Sequence, residues 1–403
     1  MPEQMSGPDV DPVVPPAGAG VDRGPDADPD VEPDAGAEPD AGAGSDAEPD
    51  AGPRPSPRST TLSIATLVTL VLFAVMVFVP VPYVIESPGP TRDTLGSQSG
   101  TALIAIRSTP TFRSTGQLRL TTVSFAGGPG YPVTLALVLR AWISGSQVVS
   151  PVETVFPPES SQSQIDKQNQ AEMVSSQENA TVAALTELGY TVPATLDVAG
   201  TVPGTGAVGV VRKGDVIVAF DGAPVPTYTD LIAALARMKP GERASLGIER
   251  AGARLDVGIV TGKRAGGGSQ LGVYIDPIFK LPVDVKIRIE NIGGPSAGTM
   301  FALGIIDKLT PQDEANGVVI AGTGTMDVDG KVGPIGGIRL KLMGAKNDGA
   351  KWFIAPAGDC DEVVGHIPSG LHVVKVSTLH EARLAMVAIG AGRGGSLPTC
   401  SVG

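Results

Sequence analysis

Hydrophobic and polar positions divide the chain into segments with different periods. From Thr60 to Val84 no charged residue interrupts a run rich in Leu, Val, Phe and Met. About 20 such residues, rising 1.5 Å each, cross a hydrocarbon core, so the run predicts one transmembrane helix over 60–84. A cleaved leader has a shorter apolar stretch and stands at the start of a chain; this run begins after nearly sixty residues. Residues 85–160 read as strands and turns, and Gly116–Phe125 alternates like one half-buried strand. Ser161–Leu188 has no Gly or Pro and stops at Gly189, the pattern of a helix with a glycine signal at its C-terminus.

Two further segments follow. Residues 189–264 predict a compact β-rich module. Lys213-Gly214-Asp215 opens a strand that ends at an Asp221-Gly222 hairpin turn. Thr229–Met238 is an amphipathic helix with Leu231, Ile232 and Leu235 on one face, and strands follow at 244–250 and 254–260. Residues 270–390 alternate strands and helices, an α/β (α+β) pattern. Strands are expected at Val283–Glu290, Gly317–Gly322, Lys351–Ala355 and His372–Val376, with a hairpin turn at Asp329-Gly330. Helices are expected at Ser296–Leu309, Ile338–Asn347 and Leu379–Ile389, and a flexible tail at 391–403.

Charge refines this division. The net charge is −12, and residues 1–58, with fourteen acids and three arginines, carry −11 of it. This tail repeats Glu-Pro-Asp-Ala-Gly at Glu32, Glu38 and Glu48. It has too little apolar surface to offset its chain entropy and is expected to be disordered. The remainder is near neutral, with no basic patch of the kind that binds nucleic acid. Arg54 and Arg58 precede the apolar run, whereas the first charges after it are Glu86 and Arg92. The positive-inside rule then puts the N-terminus in the cytoplasm and residues 85–403 outside. Cys360 and Cys400 would be free to pair there, although spacing alone cannot show it. The three histidines, His366, His372 and His380, are isolated in sequence, so no metal site or other cofactor is expected.

The candidate chemistry lies in two glycine-flanked motifs. Gly293-Gly294-Pro295-Ser296-Ala297-Gly298 sets one serine at a turn that opens an apolar helix. Unpaired N–H groups at such a start can hold an oxyanion, which makes Gly294, Pro295 and Ala297 the candidate turn; a plain N-cap serine has the same look. Gly336-Gly337-Ile338-Arg339-Leu340-Lys341 sets a lysine on one face with Ile338, Leu342 and Ala345. A lysine in an apolar stripe either snorkels or loses its charge readily and becomes a base. A serine nucleophile needs such a base.

Together these motifs resemble the proteolytic domain of Lon (endopeptidase La). The similarity runs through Pro295–Gly298, Gly330–Val332, Pro334–Gly337 and Lys341, in order and spacing. It implies a Ser296–Lys341 dyad, with Thr323 hydrogen-bonded to the lysine, and protein or peptide substrates. It also implies a homo-oligomer, since Lon-like domains commonly form hexameric rings. Two positions depart from it: Gly293 stands where many Lon proteins have an acidic residue, and Thr325 where one follows Thr-Gly. No Gly-x-x-x-x-Gly-Lys-[Ser/Thr] phosphate loop occurs. Residues 190–262 resemble a PDZ domain, which captures peptides by adding a strand, with Gly189-Tyr190 as the candidate ligand loop.

The chain thus looks like the membrane-anchored, PDZ-containing Lon-like proteases of bacterial envelopes. The implied activity is ATP-independent cleavage of unfolded or flexible segments at the outer membrane face. A non-catalytic membrane-anchored PDZ adaptor is the alternative. Residues 85–188 are expected to supply the N-terminal part of the Lon-like region, with the PDZ module inserted within it.

Overall fold

The computed structural model describes residues 56–157, 160–264 and 268–401. The acidic tail expected over 1–58 lies outside these residues as far as position 55. The apolar run forms a helix, Pro57–Phe78, none of whose residues is buried. It ends earlier than the span of 60–84 expected from hydropathy. Pro80 and Pro82 lack the N–H that a continuing helix needs, and the chain passes into strands Pro80–Val81 and Tyr83–Pro88, with Val84 fully buried.

A five-stranded sheet positions the site. Its order is His372–Val376, Trp352–Pro356, Val319–Gly322, Gln117–Leu120, Arg92–Asp93. The first four strands run parallel and the last is antiparallel. Side chains alternate across the sheet, and both faces are apolar, as a covered parallel sheet requires. Ile320, Ile354 and Val374 meet helices Gln162–Glu187, Gly298–Leu309 and Leu379–Gly390 on one face. Ala321, Phe353 and Val373 meet helix Ile338–Asn347 on the other.

The segment 116–125, expected as a single strand, is two strands. Gln117–Leu120 joins the five-stranded sheet, while Val123–Ala126 joins a separate three-stranded sheet with Tyr83–Pro88 and Val148–Pro151. Alternation holds through Leu120 and fails at Thr121, whose buried hydroxyl donates to the Gly322 carbonyl at 3.1 Å. Of the strand expected at 283–290, Val285–Ile287 is regular and pairs with Ile104–Ile106.

Between these halves lies the β-rich module. Strands 253–260, 243–250, 216–220, 194–201 and 273–279 form its sheet in that order. The boundary expected at 264 therefore moves outward, because Val273–Phe279 pairs along Ala194–Thr201. Asp221 and Gly222, at φ 47° and 78°, make the predicted two-residue turn. Buried Asp215 receives two nitrogens of Arg250 at 2.7 and 2.8 Å, which gives the Lys-Gly-Asp motif its structural role. The expected flexible tail is tied down through residue 401. Cys400 is disulfide-bonded to Cys360, the Pro398 carbonyl accepts the Lys375 N–H at 3.0 Å, and Gly394 packs on Trp352.

Candidate active site

Parallel strands leave their ligand crevice at the carboxyl ends, and the two motif residues meet there. Thr323 directly follows strand Val319–Gly322. The serine loop reaches it from one face of the sheet and the lysine helix from the other. Lys341 Nζ lies 2.9 Å from Ser296 Oγ and 3.1 Å from Thr323 Oγ1. Lys341 is 3% exposed, so it does not snorkel. Burial pushes its amine down to about 8, and the nearby Asp359 carboxylate works in the opposite direction. Asp359 is itself buried, with both oxygens accepting the Ile335 N–H at 3.2 and 3.1 Å. Burial pushes its carboxyl up, partly offset by that hydrogen bond.

Ser296 does not begin the helix, as the sequence suggested, but lies two residues before its first residue, Gly298. The Thr299 N–H, one of the donors expected to be free, is taken by the Gly324 carbonyl at 3.1 Å. In turn, the Ser296 carbonyl accepts from the Gly324 N–H at 2.8 Å and from Thr323 Oγ1 at 2.9 Å. These bonds hold Ser296 in a turn and replace N-capping. Gly294 supplies the φ of +83° that the turn requires. Gly298 lets the helix approach Met326, whose backbone and Cβ would meet any side chain there. The N–H groups of Ser296 and Ala297 bond to nothing among the described residues. Both belong to the turn that precedes helix Gly298–Leu309.

Helix Gln162–Glu187, more than a hundred residues upstream, fastens the loop. The Asn169 carbonyl accepts the Gly294 N–H at 2.9 Å, and Ser176 Oγ donates to the Pro295 carbonyl at 2.9 Å. Nothing local in the sequence marks these two residues, or Asp359, because their partners are distant in the chain. A cleft of about 1120 Å³ opens over the serine. Its walls include Ser296, Ala297, Gly337 and Lys341, and strand Val123–Ala126, which is at the edge of its sheet. Its other charged lining residues are Glu86, Asp166 and Glu172. None of the three histidines lines this cleft. His380 pairs with Glu187 at 2.9 Å, and His372 stacks on Trp352.

The expected peptide loop at Gly189-Tyr190 does not meet the module's groove. Gly189 closes the long helix at φ +84°, with its N–H on the Thr186 carbonyl. A groove of about 460 Å³ instead runs between helix Tyr228–Ala236 and edge strand Val273–Phe279. Leu231, Leu235, Leu271, Gly272 and Val273 line it. Among the described residues no cluster of His, Cys, Asp and Glu could hold a metal ion.

Residues 288–388 match the Lon protease (S16) C-terminal proteolytic domain, and residues 184–261 match the PDZ domain. Lon protease 2 of Bacillus subtilis is 36% identical over 107 residues, 25% of this chain and 18% of that protein. Lon protease 1 of Sorangium cellulosum is 31% identical over 119 residues, 28% of this chain and 14% of that protein. The matched region is therefore less than a fifth of either relative's length. The solved PDZ domain of the SdrC-like protein from Listeria innocua aligns at 17% identity and TM-score 0.20, covering 20% of this chain and 92% of that one.

Proposed function

The chain carries a Lon-type proteolytic domain and a PDZ domain, and we propose that it is a membrane-anchored serine endopeptidase working through a Ser296–Lys341 dyad. The observation that carries this reading is the 2.9 Å approach of a buried lysine amine to the serine oxygen. With its pKa near 8, about a tenth of Lys341 is neutral at pH 7. The neutral amine takes the Ser296 proton across that contact, and Oγ attacks the substrate carbonyl. The Ser296 and Ala297 N–H groups hold the oxyanion. Lys341 then returns the proton to the leaving amine, and water, deprotonated by the same amine, hydrolyses the ester. Thr323 Oγ1 keeps Nζ aimed at the serine, and Asp359 limits how far its pKa falls.

A substrate backbone lies along the free edge of strand Val123–Ala126, which requires an extended, unfolded segment. In this proposal cleavage proceeds without ATP, on segments that need no pulling. The module's groove captures peptide strands beside Val273–Phe279. Helix Pro57–Phe78 anchors the chain, with the cytoplasm on the side of Arg54 and Arg58 and the protease outside. Assembly into a homo-oligomeric ring belongs to the same proposal.

The test uses the full chain in detergent micelles, offered an unfolded protein without nucleotide. The wild type should degrade it, and Ser296→Ala and Lys341→Ala should each lose at least about a thousandfold in rate. Equal cleavage by all three would remove the dyad from the mechanism. Binding without cleavage by all three would favour the adaptor reading.

A further inference from the structure

We propose that helix Leu135–Ser144 is a second membrane contact, docking its outer face on the lipid surface beside the anchor. This inference rests on the reading of Pro57–Phe78 as a membrane span.

The helix is amphipathic in an unusual sense. Its inner face, Val138 and Ala141, packs with Ile85 and Val133 in a small core of its own. Three large apolar side chains outside that face are exposed: Leu137 is 44%, Trp142 60% and Ile143 86% exposed. Tyr131, in the loop just before it, is 70% exposed. Isolated exposed apolar residues need no explanation, but four on and beside one ten-residue helix mark a surface that meets something. A single exposed cation, Arg140, lies on the same helix. Large apolar side chains with Trp, Tyr and Arg is the composition of helices that lie at a membrane interface.

The chain trace identifies the occupant. The Leu135 N–H, first in this helix, reaches the carbonyl of Val79, the residue immediately after the apolar span. Pro80 and Val81 then pair with Thr134 and Val133. The start of the helix is thus hydrogen-bonded to the point where the span leaves the hydrocarbon. Trp and Tyr concentrate at that depth, and Trp142 is held there edge-on to Tyr83, with ring centroids 6.5 Å apart. A helix of ten residues reaches about 15 Å along the surface. Strand Tyr83–Pro88 packs Ile85 against this helix and also lines the cleft over Ser296 with Glu86. The docked surface and the cleft therefore share one strand, which favours substrate segments that emerge close to the bilayer.

The chain's two cysteines are bonded to each other, so one introduced thiol can be labelled alone. Full-length Ile143→Cys carrying an environment-sensitive fluorophore would be reconstituted in vesicles of phosphatidylcholine and phosphatidylglycerol. Some vesicles would carry bromine on the upper acyl carbons. Arg254→Cys, on the module's outer strand, serves as the control. Flotation after alkaline washing first asks whether the chain is anchored. A chain that floats, with brominated lipid quenching label 143 at least about threefold more than label 254, supports the proposal. A chain that floats with both labels equally unquenched overturns it and leaves the anchor intact. A chain that does not float overturns the anchor and the docking with it. Label 143 shielded from both lipid and aqueous quencher, with a cross-linked dimer, would assign the face to a second copy and also overturn the proposal.

Discussion

Replacing Thr323 by valine isolates one function of the site. The substitution keeps the shape and removes the hydroxyl, which accepts from Lys341 Nζ at 3.1 Å and donates to the Ser296 carbonyl at 2.9 Å. Thr323 is fully buried, so water does not replace either bond. A hydrogen bond to a charged group contributes about 1.5–3 kcal/mol. The oxygen favours the ammonium over the neutral amine, so its loss lowers the lysine pKa further. At 1.36 kcal/mol per unit, the low end of that range is a fall of about one unit from about 8. Two effects then oppose each other. More of the enzyme holds a neutral base at pH 7, but Nζ loses one of its two positioning partners. The expected result is a pH–rate profile for kcat/KM whose rising limb moves about one unit toward acid. Its plateau should fall about 10–100-fold with KM unchanged, and Thr323→Ser should restore both. The assay is cleavage of a quenched fluorescent peptide between pH 5 and 10, with circular dichroism as a check on folding. A folded valine variant with the wild-type limb and plateau would rule out this role for Thr323.

Stability should respond to the same lysine. The drop from 10.5 to about 8 corresponds to about 3 kcal/mol of destabilisation. The penalty is complete below about pH 8, where the group is charged in both states, and is relieved as pH rises toward 10.5. Lys341→Met should therefore be more stable than wild type at pH 7, with the gap closing by about pH 10.5; chemical denaturation at the two pH values checks this, and a constant gap contradicts it. Among the charged residues lining the cleft, Glu86, Asp166 and Glu172 outnumber the mostly buried lysine, so peptides with Lys or Arg flanking the scissile bond should have lower KM than their Glu counterparts. That preference should shrink as salt is added, and indifference to salt would place the selection elsewhere. Reducing Cys360–Cys400, which closes 40 residues of sequence, should cost about 2–4 kcal/mol, read as a fall in Tm on adding dithiothreitol that Ala substitution at both positions reproduces.

What the sequence made legible was local. Lys341 stood out because a 3.6-residue period places it among Ile338, Leu342 and Ala345, and that face is indeed the one buried on the sheet. Ser296 stood out through its glycines, yet its carbonyl bonds to Thr323 and Gly324, nearly thirty residues on, and these delay the helix to Gly298. Asn169, Ser176 and Asp359 gave no signal, because each acts on a loop brought to it only by folding. The run 116–125 reads as one strand because alternation reports which face is covered, not which sheet covers it. Thr121 marks the change of sheet, and the cleft opens at that break. Hydropathy overran the apolar helix at Pro80 because composition continued where the backbone could not.

In the proposed mechanism Ser296 becomes acylated because Lys341 deprotonates it. The direct measurement is intact-protein mass spectrometry of the full chain after brief exposure to an activated peptide ester, followed by mapping of the modified peptide. One acyl adduct is expected, on Ser296, forming faster as pH rises through about 8 and absent from Ser296→Ala and Lys341→Met. An adduct on another residue, or undiminished acylation of Ser296 in Lys341→Met, would contradict it.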